Sequence, residues 1–281
     1  MSTPSIKREL FSVLLRILAV VVTIVLIIGF ISVSYSSLGM ISDGECNIAV
    51  LPIEGIILPY GSSVDYGEFV TTPRDVREFI TAAENEIAIV GIMFDINSPG
   101  GTPVAAETIT DLVKNSRLTT VALIGDTGAS GGYMIASAAD TVIASAMSDV
   151  GSIGVTMSYV EESEKNEEDG LTFVELSTGK FKDTGNPNKP LSDEERALLE
   201  SQLATVQAEF VRIVAENREL DVTAVETLAD GSTLIGEKAR EAGLVDVIGG
   251  RDQAREAFAT ALSKSPEEIV FCEYYPLLEV I

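Results

Sequence analysis

Residues 87–101, IAIVGIMFDI followed by NSPGG, decide how this chain folds. A near-continuous apolar run of this length is the mark of a strand covered on both faces. It is expected to end where Asn97, Ser98, Pro99, Gly100 and Gly101 interrupt it, because Pro-Gly forms turns and paired glycines let a backbone approach its neighbour. Downstream, the pattern predicts a helix over 104–114, a second buried strand over 119–124, a Gly-rich turn, a small-residue helix over 131–139 and a strand over 141–144. Upstream, the β-branched stretch 47–58 (NIAVLPIEGIIL) reads as a pair of buried strands broken at glycine, and 59–72 as a loop. Thr72 and Pro73 then open an N-capped helix. Strands alternating with helices at this rhythm predict an α/β fold with mostly parallel pairing.

The second half is read the same way. Residues 161–169 (EESEKNEED) hold six acids and one lysine without regular ligand spacing, and are expected to form a mobile, solvated loop. Strand character resumes over 173–182, and 185–190 breaks it. Ser192 and Glu195 are spaced as a capping box that starts a long helix to about residue 217. Helices over 223–229 and 237–243, a strand over 244–248, a helix over 252–262 and a terminal strand over 270–280 complete the expectation. No repeat and no linker divides 47–281.

The 26 residues between Arg16 and Asp43 carry no charge. Their densest part, 17–33, would reach roughly 26 Å as a helix, near the thickness of a bilayer's hydrocarbon core. Lys7, Arg8 and Arg16 precede it, while Asp43, Glu45 and Glu54 follow. The positive-inside rule then places 1–16 in the cytoplasm, a retained transmembrane anchor at 17–35, a linker at 36–46 and an extracytoplasmic domain at 47–281. A cleaved signal sequence is the competing reading, since Ser32-Val33-Ser34 offers a small-residue cleavage site.

The chain of 281 residues has 43 acidic against 19 basic side chains, a net charge of −24. The first 46 residues hold three of each sign, so the domain carries the whole excess, 40 acids facing 16 bases. That balance excludes a nucleic-acid-coating protein and suits a protein kept soluble in high salt. Cys46 and Cys272 cannot form a CxxC site; they are either a disulfide or two separate thiols. Histidine is absent, which removes every imidazole-based triad and metal site.

Gly128-Ala129-Ser130-Gly131-Gly132 fits G-x-S-x-G, in which a serine is presented on a sharp turn at a helix start. The same five residues would also suit a tight turn with close packing. Without imidazole a serine nucleophile needs another base, and lysine is the established substitute when its environment lowers its pKa from about 10.4. Lys114, Lys238 and Lys264 fall on or beside expected helices, and Lys165 in the acidic stretch. Lys180 and Lys182 share one face if the strand over 173–182 persists, so pattern does not choose between them.

Taken together and in order, NSPGGTPVAAETI, GDTGASGGYMIASAADTVIA, SDVGSIGV and GKFKD resemble the signal peptide peptidase A family of membrane-anchored serine–lysine proteases. The likeness spans roughly residues 48–249. It implies a fold like the caseinolytic protease and crotonase scaffold, a spiral of ββα units. It also implies Ser130 as nucleophile, Lys182 as general base and Ser152 as the group that orients the lysine. Gly101 and Gly131 would supply the oxyanion N–H groups, and neither cofactor nor metal is required. Gly236-x-x-Ala239-x-x-x-Gly243-Leu244-Val245-Asp246 is similar to the same superfamily. The resemblance further implies a homo-oligomeric ring whose sites draw serine and lysine from neighbouring subunits. Its substrates would be remnant signal peptides or other unfolded apolar segments near the membrane. Alternatives are a stomatin-cleaving protease of the same clan, a crotonase-like acyl-thioester binder and a non-catalytic platform.

Overall fold

The computed structural model describes residues 11, 15–25, 41, 44–61 and 69–272. In chain order the domain runs β1 (Ile48–Ile57), β2 (Val70–Thr71), α1 (Pro73–Asn85), β3 (Gly91–Gly101), α2 (Pro103–Lys114), β4 (Thr119–Ala129), α3 (Gly131–Ala136), β5 (Thr141–Ala144) and β6 (Asp149–Gly151). It continues with α4 (Ser163–Glu168), α5 (Asp193–Asn217), α6 (Val222–Leu228), β7 (Thr233–Ile235), α7 (Gly236–Glu241), β8 (Val247–Ile248), α8 (Arg251–Ala261) and β9 (Phe271–Cys272). The strands order as β2-β1-β3-β4-β5-β8, with β9 on β1 and β6 bridging β4 to β7. Every pair is parallel except β6 with β7. This is the parallel α/β architecture that the alternation of strands and helices predicts.

Both faces of the sheet are covered, which is why its strands read as unbroken apolar runs. Met93, Val121, Leu123 and Ile143 pack on one face against Ala254 and Phe258 of α8. Ile92, Phe94, Ile96, Ala122 and Ile124 point the other way, toward Phe79, Ile109, Tyr133 and Val214 from α1, α2, α3 and α5. Thr72 caps α1 by accepting the Asp75 N–H at 3.3 Å.

One property of β4 positions the site. Its first half, Val121 to Ile124, pairs with β5, whereas Thr127 to Ala129 pairs with β6. The strand therefore leaves one neighbour for another and delivers Ser130 beside Gly151.

Several expectations are corrected. Residues 47–58 form one strand with a bulge between Glu54 and Ile56, not two, because Gly55 bends the chain at φ +67° without ending the ladder. β3 begins at Gly91, leaving Ile87 exposed, and runs on through Gly101, because Gly100 and Gly101 keep pairing with Ile56 and Ile57 beyond the bulge. Residues 163–168 are an exposed helix rather than a loop, and 173–182 form no strand. Over 173–182 the exposed side chains lack the sheet neighbours that would make a strand worthwhile. The terminal strand is Phe271–Cys272, Val270 precedes it without joining it, and 273–280 lie outside the described residues. Residues 15–25 are helical and exposed, while 26–35 of the expected anchor lie outside the described residues. Among the described residues, no helix is long and apolar enough to cross a membrane.

Cys46 and Cys272 form a disulfide, with Cα atoms 5.1 Å apart across a sequence separation of 226. It fastens β9, which meets β1 through two residue pairs, to the start of the domain. Closing so long a loop restricts the unfolded chain, and removing the bond is expected to cost about 2–5 kcal/mol. Urea unfolding of wild type and of Cys46→Ala/Cys272→Ala, each with and without reductant, measures this. Wild type in reductant should match the double variant, and identical midpoints in all four samples would contradict it.

Candidate active site

Ser130 links β4 to α3 at φ 51° and ψ −123°, a conformation that non-glycine residues rarely hold and that clusters at functional sites. Its N–H donates to Gly151 O at 2.7 Å, and its carbonyl accepts the Met134 N–H at 2.9 Å. Ser130 occupies the N-cap position of α3, yet its hydroxyl makes no capping bond. Serines are favoured at such positions for that bond.

The Gly100-Gly101 strand end lies directly against this turn. A Cβ built on Gly100 would fall 2.7 Å from Gly131 N and 2.8 Å from Ser130 Cβ, and Gly100 itself needs φ +101°. A Cβ on Gly131 would lie 3.4 Å from Gly101 N, so the two nominated oxyanion donors are brought together. As the first residue of α3, Gly131 has no intrahelical partner for its N–H. Ser98, fully buried, fixes this arrangement: its Oγ donates to Gly55 O at 2.6 Å and accepts the Gly100 N–H at 3.1 Å. That role is not read from sequence, because Ser98 bonds to a bulge 43 residues away.

Gly132 is required by space. A Cβ there would meet Ser98 O at 2.7 Å, and backbone on both sides leaves no room to yield. Gly132→Ala is expected to destabilise by about 1–3 kcal/mol and to disturb Ser98 and the Gly100 turn. Thermal melting checks this, and an unchanged midpoint would contradict it.

Ser152 follows β6 at φ 51°. Its Oγ donates to Gly231 O at 2.9 Å, its N–H donates to Ser232 O at 3.0 Å, and Gly231 N–H returns a bond to Ile153 O at 3.2 Å. With its proton committed to Gly231, the Ser152 oxygen presents lone pairs as an acceptor. Ser130 and Ser152 line one cleft of about 580 Å³, together with Pro99, Val155, Thr156, Gln207, Ala229 and Asp230. The Ser232 hydroxyl first, and its N–H second, hold the Asp230 carboxyl below the usual carboxylate range. A larger hollow of about 780 Å³ beside Arg251, Arg255 and Phe271 contains none of the nominated residues.

Lys182 is not in the cleft lining; it sits exposed on the irregular segment between α4 and α5. The lysines differ sharply in company. Lys114, Lys165, Lys180, Lys238 and Lys264 each lie within 4.0 Å of a carboxylate, and Lys189 contacts three. Among the described residues Lys182 is the one lysine outside these ion pairs.

The C-terminal block holds the site from behind. Tyr133 on α3 is buried and donates to Leu244 O at 2.9 Å, and burial drives its phenol well above the usual range. Asp246 accepts the Val142 N–H at 2.7 Å and pairs with Arg218. Gly243 to Asp246 thus tie β5, α3 and the end of α5 together.

The sequence matches the model of peptidase family S49 over residues 113–264, more than half the chain and a span that includes Ser130, Gly131, Ser152 and Lys182. The chain belongs to peptidase family S49, the signal peptide peptidase A family. Relatives are consistent with that membership. A candidate protease of Methanocaldococcus jannaschii is 32% identical over 209 residues, covering 73% of this chain and 67% of that protein. A candidate signal peptide peptidase SppA of Enterococcus faecium is 30% identical over 222 residues, covering 77% of this chain and 64% of that one. Protease 4 of Haemophilus influenzae is 29% identical over 210 residues, covering 74% of this chain and 33% of that protein. The match thus spans about two thirds of the first two relatives and one third of the last. An S49 peptidase acts on peptides.

Proposed function

We propose that this S49 peptidase is a membrane-anchored serine endopeptidase with Ser130 as nucleophile and Lys182 of a neighbouring copy as general base. The observation that carries the reading is Ser130 itself, strained, uncapping and set against Gly101 and Gly131, in a chain without histidine. Ser130 Oγ attacks the scissile carbonyl while neutral Lys182 Nζ takes its proton. The negative oxygen of the tetrahedral intermediate receives hydrogen bonds from Gly101 and Gly131 N–H, a good donor contributing about 3–4 kcal/mol. Lys182 then returns the proton to the leaving amine, and the C–N bond breaks to leave an ester on Ser130. Water, deprotonated by the same lysine, hydrolyses the ester and frees Ser130. Ser152 accepts a hydrogen bond from the lysine and aims it.

Two features support a site shared between copies. A lysine serves as base only where its charged form is disfavoured, and exposed Lys182 on a single chain lacks the burial that does this. The chain on both sides of α4 also exposes Met157, Val160, Leu171, Val174, Leu176 and Phe181, apolar side chains suited to covering by a second subunit. The disulfide favours an oxidising compartment, in keeping with an extracytoplasmic domain behind an N-terminal anchor. Pro99, Val155 and Ala229 give the otherwise polar cleft an apolar part that suits small or apolar side chains, as in remnant signal peptides and unfolded segments near the membrane.

The test is covalent labelling. A peptidyl fluorophosphonate added to the full chain in detergent is expected to modify Ser130, read by mass spectrometry of the peptide that contains it, with parallel loss of casein hydrolysis. Inactivation with Ser130 unmodified would overturn the assignment.

A further inference from the structure

Lys182 rides on a stretch with no strand and no helix from 171 to 192, yet a general base has to be held within a fraction of an ångström. Short turns supply part of the order: Lys182 N–H donates to Gly179 O at 3.0 Å and Asn186 N–H to Asp183 O at 3.3 Å. At its far end the stretch is tied toward α4, where Glu162 N–H donates to Pro187 O at 2.7 Å and Asn166 Nδ2 to Asn188 Oδ1 at 3.0 Å. Its less exposed attachment to α5 is an ion cluster. Lys189 Nζ lies 2.8 Å from Glu175 Oε2, 3.1 Å from Glu195 Oε1 and 3.9 Å from Asp183 Oδ2. Glu195 is 5% exposed and also accepts the Ser192 N–H at 3.0 Å and the Ser192 hydroxyl at 2.8 Å. Those Ser192 bonds, and then Lys189, hold the Glu195 carboxyl down to about 2. The capping box of α5 is therefore the fixed end of the cluster. Glu175 and Asp183, on either side of Lys182 in the chain, are the ends that it gathers in.

We propose that Lys189 is a positioning residue for the peptidase reaction. It binds Glu175, Asp183 and Glu195 together and so fixes the segment bearing Lys182 on the first turn of α5. This rests on Lys182 being the general base. Lys180, whose bridge to Glu194 at 2.7 Å is exposed on both sides, does not substitute for it, since exposed pairs hold geometry weakly. Arginine at 189 keeps the charge and can reach the same carboxylates, whereas methionine keeps the length and loses them.

The experiment uses the full chain with Lys189→Met, Lys189→Arg, Glu175→Gln and Lys182→Ala, measuring kcat and KM on a fluorogenic peptide. Melting temperature and assembly size are recorded beside them. Lys189→Met should lower kcat on the order of 10²-fold, the scale of an ångström's misplacement, with KM and assembly size little changed. Lys189→Arg should recover most of that loss, and Glu175→Gln should fall between. Wild-type kcat in Lys189→Met, with Lys182→Ala inactive, overturns the proposal alone. Equal losses in the Met and Arg variants with a matching fall in melting temperature also overturn it, because they mark a structural role. If Lys189→Met does not fold, Glu175→Gln decides, and unchanged kcat there overturns it. Full activity in Lys182→Ala would instead remove the base assignment on which the proposal stands.

Discussion

With Ser130 as the proposed nucleophile, Ser130→Ala is expected to lower peptide hydrolysis by about 10⁴-fold or more while the protein keeps its fold and its melting temperature. The size of the loss follows from the chemistry: without Oγ no ester forms, and what remains is the contribution of binding and the oxyanion donors. The unchanged stability follows from the structure. The Ser130 hydroxyl makes no capping bond to α3, so its removal leaves no helix donor newly unpaired. Alanine meets the same backbone cost at φ 51° as serine does, and the bonds from Ser130 N–H to Gly151 O and from Met134 N–H to Ser130 O are main-chain and survive. Casein hydrolysis and thermal melting of the purified variant measure both halves. Retained hydrolysis would mean that the nucleophile is elsewhere.

Equal amounts of Ser130→Ala and Lys182→Ala, each expected to be inactive alone, should regain activity when they are allowed to exchange subunits. If one site takes its serine from one copy and its lysine from the next, random mixing completes about a quarter of the sites. If both came from one chain, no mixed assembly would hold an intact pair, and activity would stay at zero. The structure motivates the first outcome, since the cleft lining beside Ser130 includes Ser152 but not Lys182. Lys182→Ala alone should fall nearly as far as Ser130→Ala, because residues that act as one unit are not additive. Lys180→Ala should stay active, since Lys180 is already bound to Glu194. With net charge −24 per chain, exchange and assay belong across a range of salt, which screens repulsion between copies. No recovery at any salt, with both variants folded and assembled, would contradict the shared site.

Much of the fold was legible before any coordinates. The apolar runs at 87–96 and 119–124 hold central strands, the first only from Gly91 on, because helices cover both faces, and β5 fell where its pattern placed it. Thr72-Pro73 and the Ser192–Glu195 box mark true helix starts, since capping is local chemistry between residues three apart. Reading failed where the deciding partner is distant. The strand pattern of 173–182 pairs with no strand among the described residues, and β6 and β7 are too short to carry a period yet form an antiparallel pair.

The sequence by itself determined that the chemistry would proceed without imidazole, that a serine stands on a sharp glycine-flanked turn, and that apolar strands would stack in parallel. These follow from residue type and short-range pattern. Only the tertiary structure decided that Gly101 lies against Gly131, that Ser98 reaches the Gly55 bulge, and that Cys46 meets Cys272. It also separated Lys182 from the other lysines by showing which of them carboxylates already hold. Each of these is a contact between segments remote in sequence, set by strand register and by the turn β4 makes from β5 to β6, and no local pattern records such a distance.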